Sequence, residues 1–260
     1  MTSSVTEAIK QRYGAIANQI NEGTKGCGTS CCKSGSGTDP ITKDLYVGSD
    51  HTSDLPKNAI TASLGCGNPT AMVKILPGQT VLDLGSGTTS LLGPNDFLRR
   101  TVPKLNVGGG IDCLISARKV GVSGKVYGLD MTEDMILLAR NNAEEAGVTN
   151  VEYLLGRLES IPLPAESVDV IISNCVINLA SDKDLVLREA YRVLRKGGKV
   201  AISDIVLKRA LPEGVRVSME MWTGCVSGAL LEDEYVKKLY QAGFCEASIE
   251  EVRVYTDSDV

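Results

Sequence analysis

The residues Thr80-Val81-Leu82-Asp83-Leu84-Gly85-Ser86-Gly87, TVLDLGSG, decide how this 260-residue chain folds. Val81, Leu82 and Leu84 form a short apolar run, the pattern of a strand buried on both faces of a parallel sheet. The run breaks into Gly85-Ser86-Gly87, where missing Cβ atoms let the backbone approach a bound molecule closely. Farther on, Lys125-Val126-Tyr127-Gly128-Leu129-Asp130 reads as the next strand, ending in a carboxylate. In nucleotide-binding α/β sheets an acid at that place accepts hydrogen bonds from ribose hydroxyls.

Gly85 and Asp130 lie 45 positions apart, where one strand–helix–strand unit needs about 20. A second glycine cluster, Gly108-Gly109-Gly110, stands before Ile111-Asp112-Cys113. Treating residues 88–108 as an insertion of 21 residues brings the spacing to 24. The loop then reads Asp83-x-Gly85-x-Gly87-x-Gly110. Closing a loop of that length costs roughly 3 kcal/mol, so its ends can meet.

Outward from this pair, Val5, Ile9, Ile16 and Ile20 recur at helical spacing behind the capping pattern Ser4-Val5-Thr6-Glu7, which predicts a helix over 5–20. Residues 21–40 hold Cys27, Cys31 and Cys32 without apolar periodicity and read as a loop. Pro56 and Pro69 stand where helices begin, and Leu64 to Pro69 is a glycine-lined turn with one thiol, Cys66. Downstream the pattern predicts a helix over 111–120, a helix from the Thr132 cap to about 146, and strands over 151–155 and 168–173. A helix over 184–194, ended by Gly197-Gly198, then precedes a strand over 199–205. A helix over 234–242 and a sixth strand over 245–255 complete the reading. Strands alternating with helices imply a doubly wound, mostly parallel sheet. The division expected is 1–55 as a helix and cysteine-rich loop, 56–206 as the α/β core, and 207–260 as a substrate-binding segment.

A net charge of −5 argues against a general nucleic-acid binder. No apolar run reaches the roughly 20 residues of a membrane span, and no secretory leader is visible. Eight cysteines without secretion imply thiols in the cytoplasm rather than a disulfide framework.

Seven stretches together resemble the arsenite S-adenosylmethionine methyltransferases: SLGCGNP (63–69), DLGSG (83–87), GGIDC (109–113), GLDMT (128–132), SNCVINL (173–179), LRKGGKVAISDIV (194–206) and WTGCVSGA (222–229). The glycine loop by itself resembles that of class I methyltransferases in general; the cysteine settings are more specific. The resemblance implies a Rossmann-like methyltransferase sheet carrying S-adenosylmethionine. It implies that Asp83, Gly85, Ser86, Gly87, Gly109, Gly110, Asp112, Asp130, Met131, Leu158, Glu159 and Asn174 form the cofactor site. It also implies that Cys66, Cys175 and Cys225 ligate trivalent arsenic. An amino-terminal cysteine, Cys32 or Cys31, would exchange disulfides with them, served by thioredoxin or glutathione. Soft As(III) binds thiolates strongly. Three sulfurs leave its lone pair free as a nucleophile toward the sulfonium methyl, and arsenic loses no proton, so no general base is needed. The chain has one histidine, His51.

Cys113 and Cys245, inside expected elements, read as small apolar residues, and Cys27 as a spare loop thiol. The seventh strand usual in this fold is not legible after Tyr255. Two other readings stay open at this point: a class I methyltransferase of an organic small molecule, and a non-catalytic arsenical-binding protein.

Overall fold

The structure, a computed structural model, describes residues 67–87, 109–210, 228–252 and 254, together with Glu7, Ile9, Lys10, Gln11 and Gly14. Cys27, Cys31, Cys32, Cys66, Cys225, Pro56 and the expected insertion 88–108 lie outside the described residues, as does most of the helix expected over 5–20. Glu7, Ile9, Lys10, Gln11 and Gly14 are helical, and Ile9 is buried.

Five parallel strands form one sheet in the order β3-β2-β1-β4-β5. They are β1 (Thr80–Leu84), β2 (Lys125–Asp130), β3 (Val151–Leu155), β4 (Val168–Asn174) and β5 (Leu194–Ser203). Helix α1 (Pro69–Met72) precedes β1, α2 (Ile111–Val120) and α3 (Glu133–Glu145) follow β1 and β2, and α4 (Lys183–Val193) links β4 to β5. A short parallel pair, β6 (Val206–Leu207) and β7 (Leu230–Leu231), leads into α5 (Glu232–Ala242). The chain order reverses between β1 and β4. That switch point opens a crevice at the carboxyl ends of the strands, where ligands of open α/β sheets bind.

Period-two alternation sorts the strands into two cores. Val81, Val126, Val170, Ile172 and Ala201 pack with α2 and α3 on one face. Leu82, Leu84, Leu129 and Ile171 pack with Val186, Leu187 and Ala190 of α4 and with Tyr235 of α5 on the other. Each such side chain contributes about 1.5–3 kcal/mol on burial, so the register along each strand is strongly specified.

Two expectations are corrected. Strand β5 begins at Leu194 rather than 199 and runs through Gly197-Gly198. A register shift beside Val168 and Val170 absorbs the glycines, and a Cβ on Gly198 would lie 2.8 Å from the Asp169 carbonyl oxygen. The sixth strand over 245–255 is absent among the described residues. Glu246 adopts φ 59°, a left-handed conformation that breaks an extended run at its start.

The two residues flanking 88–108 on each side meet in the structure. The Gly110 N–H donates to the Ser86 carbonyl at 2.7 Å. With 88–108 set aside, Ser86, Gly87, Gly109 and Gly110 are consecutive, and this bond is the i to i+3 hydrogen bond of a β-turn. Gly110 has φ 86°, and a Cβ there would lie 2.5 Å from the Tyr153 hydroxyl. The turn is complete without the intervening 21 residues. A chain joining Gly87 directly to Gly109 is therefore expected to keep the helical circular-dichroism signal and a cooperative thermal transition no lower than the parent's. Loss of cooperativity in the deletion variant would show that the extra residues support the fold.

Candidate active site

Strand β1 hands the chain to a loop fastened on β2. Gly85, at φ 75°, and Ser86 both donate their N–H groups to the Leu129 carbonyl, at 2.8 and 3.0 Å. The next N–H, of Gly87, donates to Asp130 Oδ2 at 3.0 Å, while Thr132 N donates to Oδ1 at 2.9 Å. Asp130 is 2% exposed. Burial pushes its carboxyl up to about 6, against the pull of the Thr132 and Gly87 N–H groups. A Cβ on Gly87 would lie 2.4 Å from Met135 Cβ, so no larger residue fits there. Ser86 Oγ and Thr132 Oγ1 are buried without a hydrogen-bond partner among the described residues.

Beneath this loop lies an acidic floor. Cys113 Sγ donates to Asp83 Oδ2 at 3.3 Å, and both groups are buried. Burial first, and then the neighbouring Asp112 carboxylate, hold the Asp83 carboxyl well above its ordinary range. Burial and the Asp83 charge likewise push the Cys113 thiol up, leaving it a poor nucleophile. Asn174 Nδ2 donates to the Gly67 carbonyl at 2.9 Å and faces Asp112 Oδ2 at 3.4 Å. Asn174 therefore clamps the segment that follows Cys66 to the end of β4. Gly109 is held by Asn142 Nδ2, which donates to its carbonyl at 2.8 Å.

Cys175 follows directly. It is 7% exposed, sits at φ 56°, and donates its N–H to the Ser203 carbonyl at 2.8 Å. A non-glycine residue in this region is strained by about 1–3 kcal/mol, and such strain clusters at ligand sites. Cys175 is disulfide-bonded, whereas Cys113 and Cys245 are free. The expectation of thiols throughout is corrected at this residue, and Cys245, read as buried, is exposed. On either side of Cys175 the chain approaches closely. A Cβ on Gly67 would lie 2.1 Å from Ser203 Oγ, and one on Gly228 would lie 2.0 Å from the Asn178 carbonyl oxygen. Gly67 is the residue after Cys66 and Gly228 is three residues after Cys225.

A cavity of about 630 Å³ opens at the ends of β2 and β3. Met131 to Asp134 and Leu155 to Arg157 line it, with Lys10 and Gln11 from the amino-terminal helical residues. Its size suits a nucleoside-sized ligand. Met131, one residue beyond Asp130, is among the lining residues. Leu158 instead packs against the core, and Glu159 accepts from Arg157 Nη2 at 3.2 Å. Leu155 to Arg157 escaped the sequence reading by three residues, the end of β3 being the available signal. Nothing in the sequence marked Lys10 or Gln11.

A methyltransferase-domain model matches residues 105–243, more than half of the chain. The chain belongs to the methyltransferase-domain family. This methyltransferase-domain chain is 38% identical to an arsenite methyltransferase of Halobacterium salinarum over 247 residues, 92% of this chain and 56% of the relative. It is 32% identical to an arsenite methyltransferase of Aquipseudomonas alcaligenes over 252 residues, 94% of this chain and 63% of that protein. Among solved structures, the arsenic(III) S-adenosylmethionine methyltransferase of Chlamydomonas reinhardtii matches with a TM-score of 0.60 and 32% identity, over 74% of this chain and 60% of that one. The chain therefore spans less than two thirds of the length of these relatives.

The raised carboxyls set a pH dependence for this methyltransferase domain. Folded Asp130 holds its proton up to about pH 6 and Asp204 up to about 7, both from ordinary values of 3.8, so the folded state binds more protons than the unfolded one in between. Stability then rises as pH falls through that window. Asp169, held low by the Thr80 N–H and Arg195 despite its burial, and Glu189, held low by Arg192, act oppositely below about pH 4. Thermal unfolding followed from pH 8 to 3 is expected to give its highest midpoint near pH 5. A midpoint that climbs steadily toward pH 8 would contradict these assignments.

Proposed function

We propose that this domain transfers methyl groups from S-adenosylmethionine to trivalent arsenic held by the thiolates of Cys66, Cys175 and Cys225, detoxifying arsenite or its thiol conjugates. The observation that carries this reading is the disulfide at Cys175, a buried residue in a strained turn at the carboxyl end of β4. A disulfide requires a second sulfur at bonding distance, so reduction leaves two thiols side by side. Adjacent thiols are the ligand set that soft As(III) prefers.

The described neighbours in sequence of Cys66 and Cys225 support the third sulfur. Gly67 packs against Ser203 and Gly228 against Asn178, both neighbours of the Cys175 turn. Similarity to three arsenic methyltransferases supports the substrate.

The residues present fit the cofactor. Gly85, Ser86, Gly87, Gly109 and Gly110 offer close backbone approach, and Ser86 Oγ is buried without a partner among the described residues. Met131 and Leu155 to Arg157 line a cavity for the adenosyl portion, beside Asp130. Asp83 near the end of β1, Asp112 at the start of α2 and Asn174 at the end of β4 stand by the loop, whereas Leu158 and Glu159 are outside the cavity lining. When bound, S-adenosylmethionine supplies an electrophilic sulfonium methyl. The protein's part is to hold arsenic in register with it and to exclude water.

Before arsenic binds, the Cys175 disulfide must be reduced. A cytoplasmic thiol reductant of the thioredoxin or glutathione class, acting through Cys32 or Cys31, fits that need and would return the thiols after each oxidation. No helix among the described residues is long and apolar enough to cross a membrane.

The test is a methyl-transfer assay with arsenite, labelled S-adenosylmethionine and a thiol reductant. The parent chain is expected to yield methylated arsenic. Cys175→Ser is expected to lower the rate at least about 100-fold, beyond the usual effect of losing an outer partner, while binding of S-adenosylmethionine measured by calorimetry stays within about twofold. Undiminished arsenic methylation by the serine variant would refute the reading. Transfer to an organic acceptor with arsenite inert would assign the domain to small-molecule methylation instead.

A further inference from the structure

We infer that Asp204 and Tyr235 form a positioning pair that holds β7 and α5 against the turn carrying Cys175, and so sets how the segment bearing the third thiol meets the other two. The inference deepens the arsenic reading and rests on it. It adds two residues that belong neither to the cofactor loop nor to the cysteines.

The connection can be followed bond by bond. The Cys175 N–H donates to the carbonyl of Ser203, and Asp204 is the next residue. Tyr235, 4% exposed in the first turns of α5, donates its hydroxyl to Asp204 Oδ2 at 3.0 Å. Asn178, fully buried in the 3₁₀ turn Ile177–Leu179, donates Nδ2 to the Ile205 carbonyl at 2.8 Å. Gly228 lies against the Asn178 carbonyl so closely that a side chain there has no room. The pairing of Val206 with Leu230 and of Leu207 with Leu231 continues the same seam. Farther along α5, Lys238 Nζ bonds both carboxylate oxygens of Asp184 on α4, at 2.9 and 3.0 Å. The segments 204–207 and 228–238 are thus held to each other, and both are held to Asn178, three residues after Cys175.

The chemistry of the pair is costly for a purely structural role. Asp204 Oδ1 is sealed from solvent, and burial pushes the carboxyl up to about 7 against the pull of the Tyr235 hydroxyl, Lys183 and the Asn178 N–H. A carboxyl whose partners do not offset its burial destabilises a fold, and an apolar pair of the same volume would pack more favourably. What a directional bond adds is a fixed distance and angle between two elements. Here those elements are the end of β5, bonded to Cys175, and the helix that follows Gly228.

The experiment uses the full reduced chain and two arsenical probes. Arsenite engages three thiols, and phenylarsine oxide, with one valence taken by carbon, engages two. Tyr235→Phe keeps the ring and removes only the hydroxyl, so the fold is retained and its thermal midpoint serves as the check. This variant is expected to bind arsenite about tenfold or more weakly by calorimetry, with a matching rise in KM. Phenylarsine oxide and S-adenosylmethionine should bind within about twofold of the parent. Asp204→Asn made alone, which keeps an acceptor for the Tyr235 hydroxyl, is expected to retain most of the parent's arsenite affinity. Equal binding of both arsenicals by Tyr235→Phe and the parent, or equal loss of both, would overturn the positioning role. A parent chain that binds neither arsenical would overturn the arsenic reading itself, a result distinguishable from failure of the pair alone.

Discussion

The buried carboxylate of Asp130 holds the loop after β1 onto the end of β2, and the site is built around that attachment. Taking a charged carboxylate out of water is expensive, and the two N–H groups from Gly87 and Thr132 offset part of the cost. The remainder persists as a carboxyl held up to about 6. The same contact explains the loop's composition. Gly87 must come within a hydrogen bond of Asp130 while passing Met135, and only a residue without a side chain does both.

The opposite side of the crevice follows the same economy. Asn174, Cys175, Ser203 and Asp204 occupy the ends of β4 and β5, and each is bonded across strands or loops rather than to its chain neighbours. Buried polar groups concentrate at this edge, whereas both faces of the sheet are filled by aliphatic side chains. Stability resides in the layers and chemistry at the rim, as expected when a binding site is grafted on a scaffold common to many activities.

Much of the fold was legible in the sequence because apolar periodicity and glycine punctuation agree. The elements 111–120, 125–130 and 151–155 occur with the bounds that their patterns imply. The start of β5 was not legible: Gly197-Gly198 signals a helix terminus locally, and the register shift that admits the pair into a strand is a tertiary event. The strand expected over 245–255 fails at Glu246, whose left-handed φ no pattern announces. Within the site, Gly87 and Asp130 were singled out by their places after two expected strands, and the structure joins them by a hydrogen bond. Asn174 was expected at a cofactor, yet its side chain clamps Gly67, 107 positions away. The Asp204–Tyr235 pair, 31 positions apart, has no spacing that a strand or helix period would reveal.

The turn closed by Ser86 and Gly110 bears on the order of assembly. Thr80 pairs with Lys125 across 45 positions of chain, whereas Val126 pairs with Val151 across 25. Nearly doubling the connection before β2 adds about 0.6 kcal/mol to the entropic cost of bringing β1 and β2 together. Contacts of high sequence separation are late and slow to form. The half of the sheet containing β2 and β3 is thereby favoured to condense first, with β1 docking onto an edge already in place.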